Sequence, residues 1–124
     1  MKTRKIFLIC FIILIILCGC NREEEKEESL QEIIQEEKAI LVDVRTKEEY
    51  EESHIKDAIN IPYDEIDEKV KLDKTKKIYV YCKSGKRSQI AYEKLKALGY
   101  EVKDLGAYNT IDLERIKGTN ENIN

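Results

Sequence analysis

The sequence predicts an α/β fold, with a mostly parallel sheet held between helical layers. Three observations predict it. Residues 39–44 and 77–81 are short β-prone stretches without the polar alternation of a half-exposed strand, so each reads as a strand covered on both faces. Stretches of helical pattern stand between the strands, and strands alternating with helices give a parallel sheet. The stretch 77–81 runs straight into Cys82, a glycine turn and a new helical pattern. In such sheets, sites lie beyond the carboxyl ends of strands.

The elements follow in order. Ser29 and Glu32 form a capping-box pair around Leu30, Ile33 and Ile34, which predicts a short first helix. Residues 39–44 are the first strand. Thr46 and Glu49 repeat the capping-box spacing and open a second short helix through Glu52. Residues 54–57 read as a turn, and residues 58–61 as a short strand stopped by Pro62, the only proline. Residues 64–72 place Ile66 and Val70 among acids and lysines, the pattern of an amphipathic surface helix. After the strand at 77–81, residues 87–98 form the main helix, with Ala91, Leu95 and Leu98 on one face and Gly99 as the C′ residue. Residues 100–105 read as the last strand, Gly106 as a turn and residues 111–116 as a closing helix.

The ends are read separately from the domain. Residues 1–5 are basic without acids, and residues 6–18 are apolar throughout. Thirteen apolar residues fall short of the roughly 20 that span a bilayer, and match a signal-peptide core. The run ends in Leu17-Cys18-Gly19-Cys20, which resembles a bacterial lipobox. That resemblance implies cleavage before Cys20 and a diacylglycerol thioether on Cys20. The domain is then anchored by lipid in the bacterial cell envelope, on the outer side of the cytoplasmic membrane. The division expected is a signal peptide at 1–19, a charged tether at 20–28, one domain at 29–118 and a frayed end at 119–124. Removal of 1–19 leaves 19 basic and 25 acidic residues, net −6, which argues against a nucleic-acid partner.

Cys82 is the residue most suited to chemistry. It is the only cysteine beyond residue 20, so the domain holds no disulfide partner for it. It sits in Cys82-Lys83-Ser84-Gly85-Lys86-Arg87-Ser88, between a strand and a helix start. Outward-pointing amides, the helix dipole and the charges of Lys83, Lys86 and Arg87 favour a thiolate there. A lone thiol in such a turn is a candidate nucleophile.

Three stretches in order resemble the rhodanese domain. They are Leu41-Val42-Asp43-Val44-Arg45 with Glu48-Glu49-Tyr50, then His54-Ile55-Lys56-Asp57-Ala58-Ile59-Asn60-Ile61-Pro62, then Tyr79-Val80-Tyr81-Cys82 through Ser88. The resemblance implies a three-layer domain around a five-stranded, mostly parallel sheet. It implies sulfur transfer through a persulfide on Cys82, from a small anionic donor such as thiosulfate or a persulfide to a thiol or cyanide, with no cofactor and no metal. In that chemistry Lys83, Ser84, Gly85, Lys86 and Arg87 form the anion-holding loop. Arg87 is expected to fix the loop by pairing with a carboxylate. Asp43 is expected to support the loop, Arg45 to pair with an acid, and His54 to lie in a structural turn. The chain departs from the family pattern at Asp57, where many members have glycine, and near Gly106-Ala107-Tyr108-Asn109, where many have a tryptophan.

Rival functions are a non-enzymatic sulfur-carrier or binding module of the same fold, a phosphatase or arsenate reductase, and a thiol redox protein. Four residues separate Cys82 from Arg87. Phosphatases of the Cys-x5-Arg kind have five, which gives a wider cradle for a tetrahedral anion. A redox cycle would need an external resolving thiol.

Overall fold

The structure, a computed structural model, describes residues 28–118. The expected signal peptide, the expected tether up to residue 27 and the expected frayed end at 119–124 lie outside the described residues.

A capping box opens the first helix, α1 (Leu30–Glu36): the Ser29 amide donates to Glu32 Oε2 at 3.0 Å and the Glu32 amide to Ser29 Oγ at 3.3 Å. Then come β1 (Ile40–Asp43), α2 (Lys47–Glu52), β2 (His54–Ile55), β3 (Ile59–Asn60) and a 3₁₀ turn at Tyr63–Glu65. The second half holds β4 (Ile78–Cys82), α3 (Lys86–Ala97), β5 (Val102–Ala107), a 3₁₀ turn at Tyr108–Thr110 and β6 (Arg115–Ile116).

Four strands form one parallel sheet in the order β3-β1-β4-β5, with α3 in the β4–β5 crossover. β4 is central and buried along its whole length, which is why its sequence lacks polar alternation. Its period of two feeds two cores. Ile78, Val80 and Cys82 join Val42, Val44, Ala91, Leu95 and Tyr100 on the α3 side. Tyr79 and Tyr81 join Leu41, Ile55, Ala58 and Ile111 on the other side, where Leu30, Ile33 and Tyr50 pack. Three layers result, and the α/β class is the one expected.

The strand count is corrected. Among the described residues the parallel sheet has four strands rather than five, and β2 and β6 pair separately as a short antiparallel ribbon. That ribbon also replaces the closing helix expected at 111–116. Ile111 and Leu113 both face the core with the exposed Asp112 between them, the period of two of an extended chain, and the Lys56 amide donates to Glu114 O at 2.8 Å. The surface helix expected at 64–72 is likewise absent. Ile66 anchors this segment in the α3-side core, and side chains take the backbone groups a helix would use. Asp67 Oδ1 accepts the Lys69 amide at 2.8 Å. Tyr100 OH accepts the Leu72 amide at 3.2 Å and donates to Val70 O at 3.1 Å.

Two backbone positions shape the region near the site. Gly106 lies inside β5 rather than in a turn after it, with φ +78° at a bulge where Leu105 is skipped in the pairing with β4. Asp57, with φ +66°, holds a left-handed geometry that aspartate tolerates in a turn.

Candidate active site

The site stands at the C-terminal end of β4. Cys82, the last residue of that strand, pairs with Ala107 of β5. Three residues later the chain enters α3. Gly85 takes the N-cap position with φ +94°, and no side chain caps the helix. Only glycine adopts that angle without strain. The uncapped helix start therefore leaves its amides free for another acceptor. That acceptor is Cys82 Sγ, which receives the Gly85 N–H at 3.0 Å.

Burial pushes the Cys82 thiol up, since Cys82 is 0% exposed. The Ser88 hydroxyl and the amides of Ser88, Gly85 and Ser84 outweigh it, so the thiol lies below its ordinary value. The geometry thus places the Gly85 amide at the sulfur, and Lys83 and Lys86 are exposed residues of the same turn. The part of Ser88 was not read from the sequence. Its signal is position: a hydroxyl three residues past the N-cap glycine falls back over the loop.

Arg87 is held by a carboxylate. Its Nη1 and Nη2 donate to Glu49 Oε2 at 2.8 Å and Oε1 at 3.0 Å. Glu49 also accepts the Thr46 amide at 2.9 Å and the Thr46 hydroxyl at 3.2 Å, so it caps α2 with the same carboxylate. The Arg87 hydrogen bonds, with the Thr46 amide, overcome desolvation and hold Glu49 down at about 2. Glu49 was legible as a helix cap but not as the partner of Arg87.

Asp43 and Arg45 form a second, buried pair. Arg45 Nε donates to both Asp43 oxygens at 3.0 Å and Nη2 to Oδ2 at 2.6 Å. Nη2 also donates to Ser53 O at 2.6 Å, and the guanidinium lies 4.3 Å from the centre of the Tyr108 ring. The Asp43 carboxylate is thus spent on Arg45 rather than on residues 83–87. Any support it gives the loop runs through Arg45 and Tyr108, the residue that follows the β5 partner of Cys82. Tyr108 also takes Arg115 at 4.7 Å from its ring centre and stacks on Tyr81 at 5.7 Å, filling the region where tryptophan was absent.

His54 is buried on β2. Its Nδ1 lies 2.8 Å from Tyr50 O, and its ring stacks on Tyr50 with centroids 3.7 Å apart. Cys20 lies outside the described residues.

The rhodanese-like domain family matches residues 26–110. The chain is 37% identical over 81 residues to thiosulfate sulfurtransferase PspE of Escherichia coli, covering 62% of this chain and 78% of that protein. It is 38% identical over 81 residues to the adenylyltransferase and sulfurtransferase uba4 of Ogataea parapolymorpha, covering 64% of this chain but only 21% of that longer protein. Among solved structures, a rhodanese with anions from E. coli superposes with a TM-score of 0.59 at 34% identity, over 64% of this chain and 99% of that one. A rhodanese-related protein from Thermoplasma volcanium gives 0.55 at 35% identity, over 64% and 82%. With the sheet order, the cysteine at the end of β4 and the amide-lined loop on the page, the conclusion is that this chain belongs to the rhodanese-like domain family.

Proposed function

We propose that the protein is a thiosulfate sulfurtransferase that carries sulfane sulfur as a persulfide on Cys82. The observation that carries this reading is Cys82 Sγ receiving the Gly85 amide at 3.0 Å beneath the uncapped start of α3. The similarity to PspE supports thiosulfate as the donor.

In the donor step the Cys82 thiolate attacks the outer sulfur of thiosulfate. A new S–S bond forms at Sγ, the donor S–S bond breaks, and sulfite leaves with the bonding pair. In the acceptor step a thiolate or cyanide attacks the terminal sulfur of the persulfide. The Sγ–S bond breaks and its pair returns to Cys82. This is covalent ping-pong chemistry. The loop amides form a nest that favours the anion in each state. Lys83 and Lys86 draw the anionic donor toward the loop. Arg87 fixes the loop through Glu49, and Asp43 with Arg45 braces the neighbouring wall. No cofactor enters these steps. The protein acts in the bacterial envelope, lipid-anchored through Cys20; Leu17-Cys18-Gly19-Cys20 supports that placement.

Intact-mass measurement after thiosulfate treatment tests the chemistry. One added sulfur is expected on the wild type, lost on addition of cyanide, and none on Cys82→Ser. A serine hydroxyl ionises far too weakly to replace the thiolate. Cys82-dependent phosphatase turnover with no sulfur adduct would overturn the assignment. A stable adduct that no small acceptor removes would point instead to a carrier module.

A further inference from the structure

We propose that Ser88 is a catalytic residue of the acceptor step, its hydroxyl turning from the Gly85 carbonyl to Cys82 Sγ to hold the thiolate that leaves the persulfide. This rests on the persulfide reading above. Ser88 is the third residue of α3 and is 0% exposed. Its Oγ donates to Gly85 O at 3.0 Å. That carbonyl does not depend on it, because the Gln89 amide donates to the same oxygen at 3.2 Å in the ordinary helical bond. A hydroxyl has one proton and rotates to suit its partners. Ser88 can therefore release Gly85 without leaving a buried carbonyl unpaired. Gly85 links this hydroxyl to the buried sulfur, its carbonyl accepting from Ser88 Oγ at 3.0 Å and its amide donating to Cys82 Sγ at 3.0 Å, and the Ser88 hydroxyl is the foremost donor holding that thiol down.

The two half-reactions use this hydroxyl differently. In the loaded enzyme Sγ is a neutral bridging atom and a weak acceptor, while the charge sits on the terminal sulfur. The hydroxyl then rests on Gly85 O. As the acceptor attacks the terminal sulfur, the Sγ–S pair collects on Sγ, which becomes an anionic and strong acceptor. The hydrogen bond gained there exists in the transition state and not in the persulfide, so it accelerates the step. In the donor step the same bond is present at the start and weakens as the thiolate attacks. It raises the fraction of thiolate but does not speed the attack itself.

Ser88→Ala and Ser88→Thr separate these effects. The thiol titration is read from the pH dependence of iodoacetamide alkylation. Loading by thiosulfate and discharge by cyanide are read as single turnovers by intact mass, at a pH where Cys82 is fully ionised. For folded Ser88→Ala, the alkylation midpoint should rise by about one pH unit and discharge should slow about tenfold, the scale of one lost charge-assisted hydrogen bond. Loading should not slow. Ser88→Thr, which keeps the hydroxyl, should recover both properties. The proposal is overturned if Ser88→Ala leaves midpoint and discharge unchanged, if loading and discharge fall together, or if Thr is as impaired as Ala. A wild type that takes up no sulfur at all would overturn the persulfide reading, and with it the discharge role of Ser88, whatever the alkylation midpoints show.

Discussion

Arg87 and Glu49 meet in a two-point ion pair, at 2.8 and 3.0 Å, that joins the first turn of α3 to the first turn of α2. The same Glu49 carboxylate closes the capping box with Thr46. One side chain thus anchors the helix that follows Cys82 and starts the helix that leads into β2.

Glu49 ties stability to pH. Its folded value of about 2 lies below its ordinary 4.5, so its contribution is complete above pH 4.5 and is lost as pH falls toward 2. Glu49→Gln should cost about 1–2 kcal/mol at pH 7, from a weakened cap and a lost half-exposed ion pair. Below about pH 2 the variant and the wild type should converge. Urea unfolding at a series of pH values reads this directly. A constant difference from pH 7 to pH 2 would contradict it.

Lys83 and Lys86 should act by charge alone. Replacing either with Ala should lower kcat/KM for thiosulfate about tenfold, with a smaller loss for an uncharged sulfur donor. Raised salt should lower the wild-type rate in the same way and leave the variants less affected. Steady-state rates over an ionic-strength series, with both donors, provide the check.

His54 should matter for stability rather than chemistry. Its Nδ1 serves the Tyr50 carbonyl near the end of α2, and its ring stacks on Tyr50. His54→Ala should cost about 1–3 kcal/mol through the unpaired carbonyl and the lost ring contact. A Tm drop with near-normal turnover of the folded fraction is expected. Loss of turnover at an unchanged Tm would assign His54 to the reaction.

Cys20 should carry the lipid. The mature N-terminus should be Cys20, and the wild type should sediment with membranes. Cys20→Ala should retain residues 1–19 and lose the thioether mass. A mature chain that begins at Met1 in the wild type would refute this.

The sequence was most informative where a single local pattern decided the outcome. β4 was legible as an uninterrupted β-prone run and α3 by its helical spacing, and the thiol, the glycine and the helix start are contiguous. Residues 64–72 misled because Ile66 and Val70 fit a helical spacing equally well. The deciding bonds come from Tyr100, 28 and 30 residues away from Leu72 and Val70. Residues 111–116 misled because a short apolar segment fits either period. The partner of Arg87 was hidden for a different reason. Glu49 lies 38 residues upstream, among Glu48, Glu51 and Glu52, and only the fold, which brings the first turn of α2 to the first turn of α3, selects it.

Cys82 belongs to the same apolar cluster as Val80, Ala91 and Leu95. The thiol is therefore carried by a residue of the interior rather than of a loop. Amide exchange at the end of β4 should occur only through opening of the whole domain, whereas the exposed residues Lys83 and Ser84 can exchange through local fluctuations. Heat inactivation should then coincide with melting, because no milder opening displaces the sulfur from its amides without breaking the core.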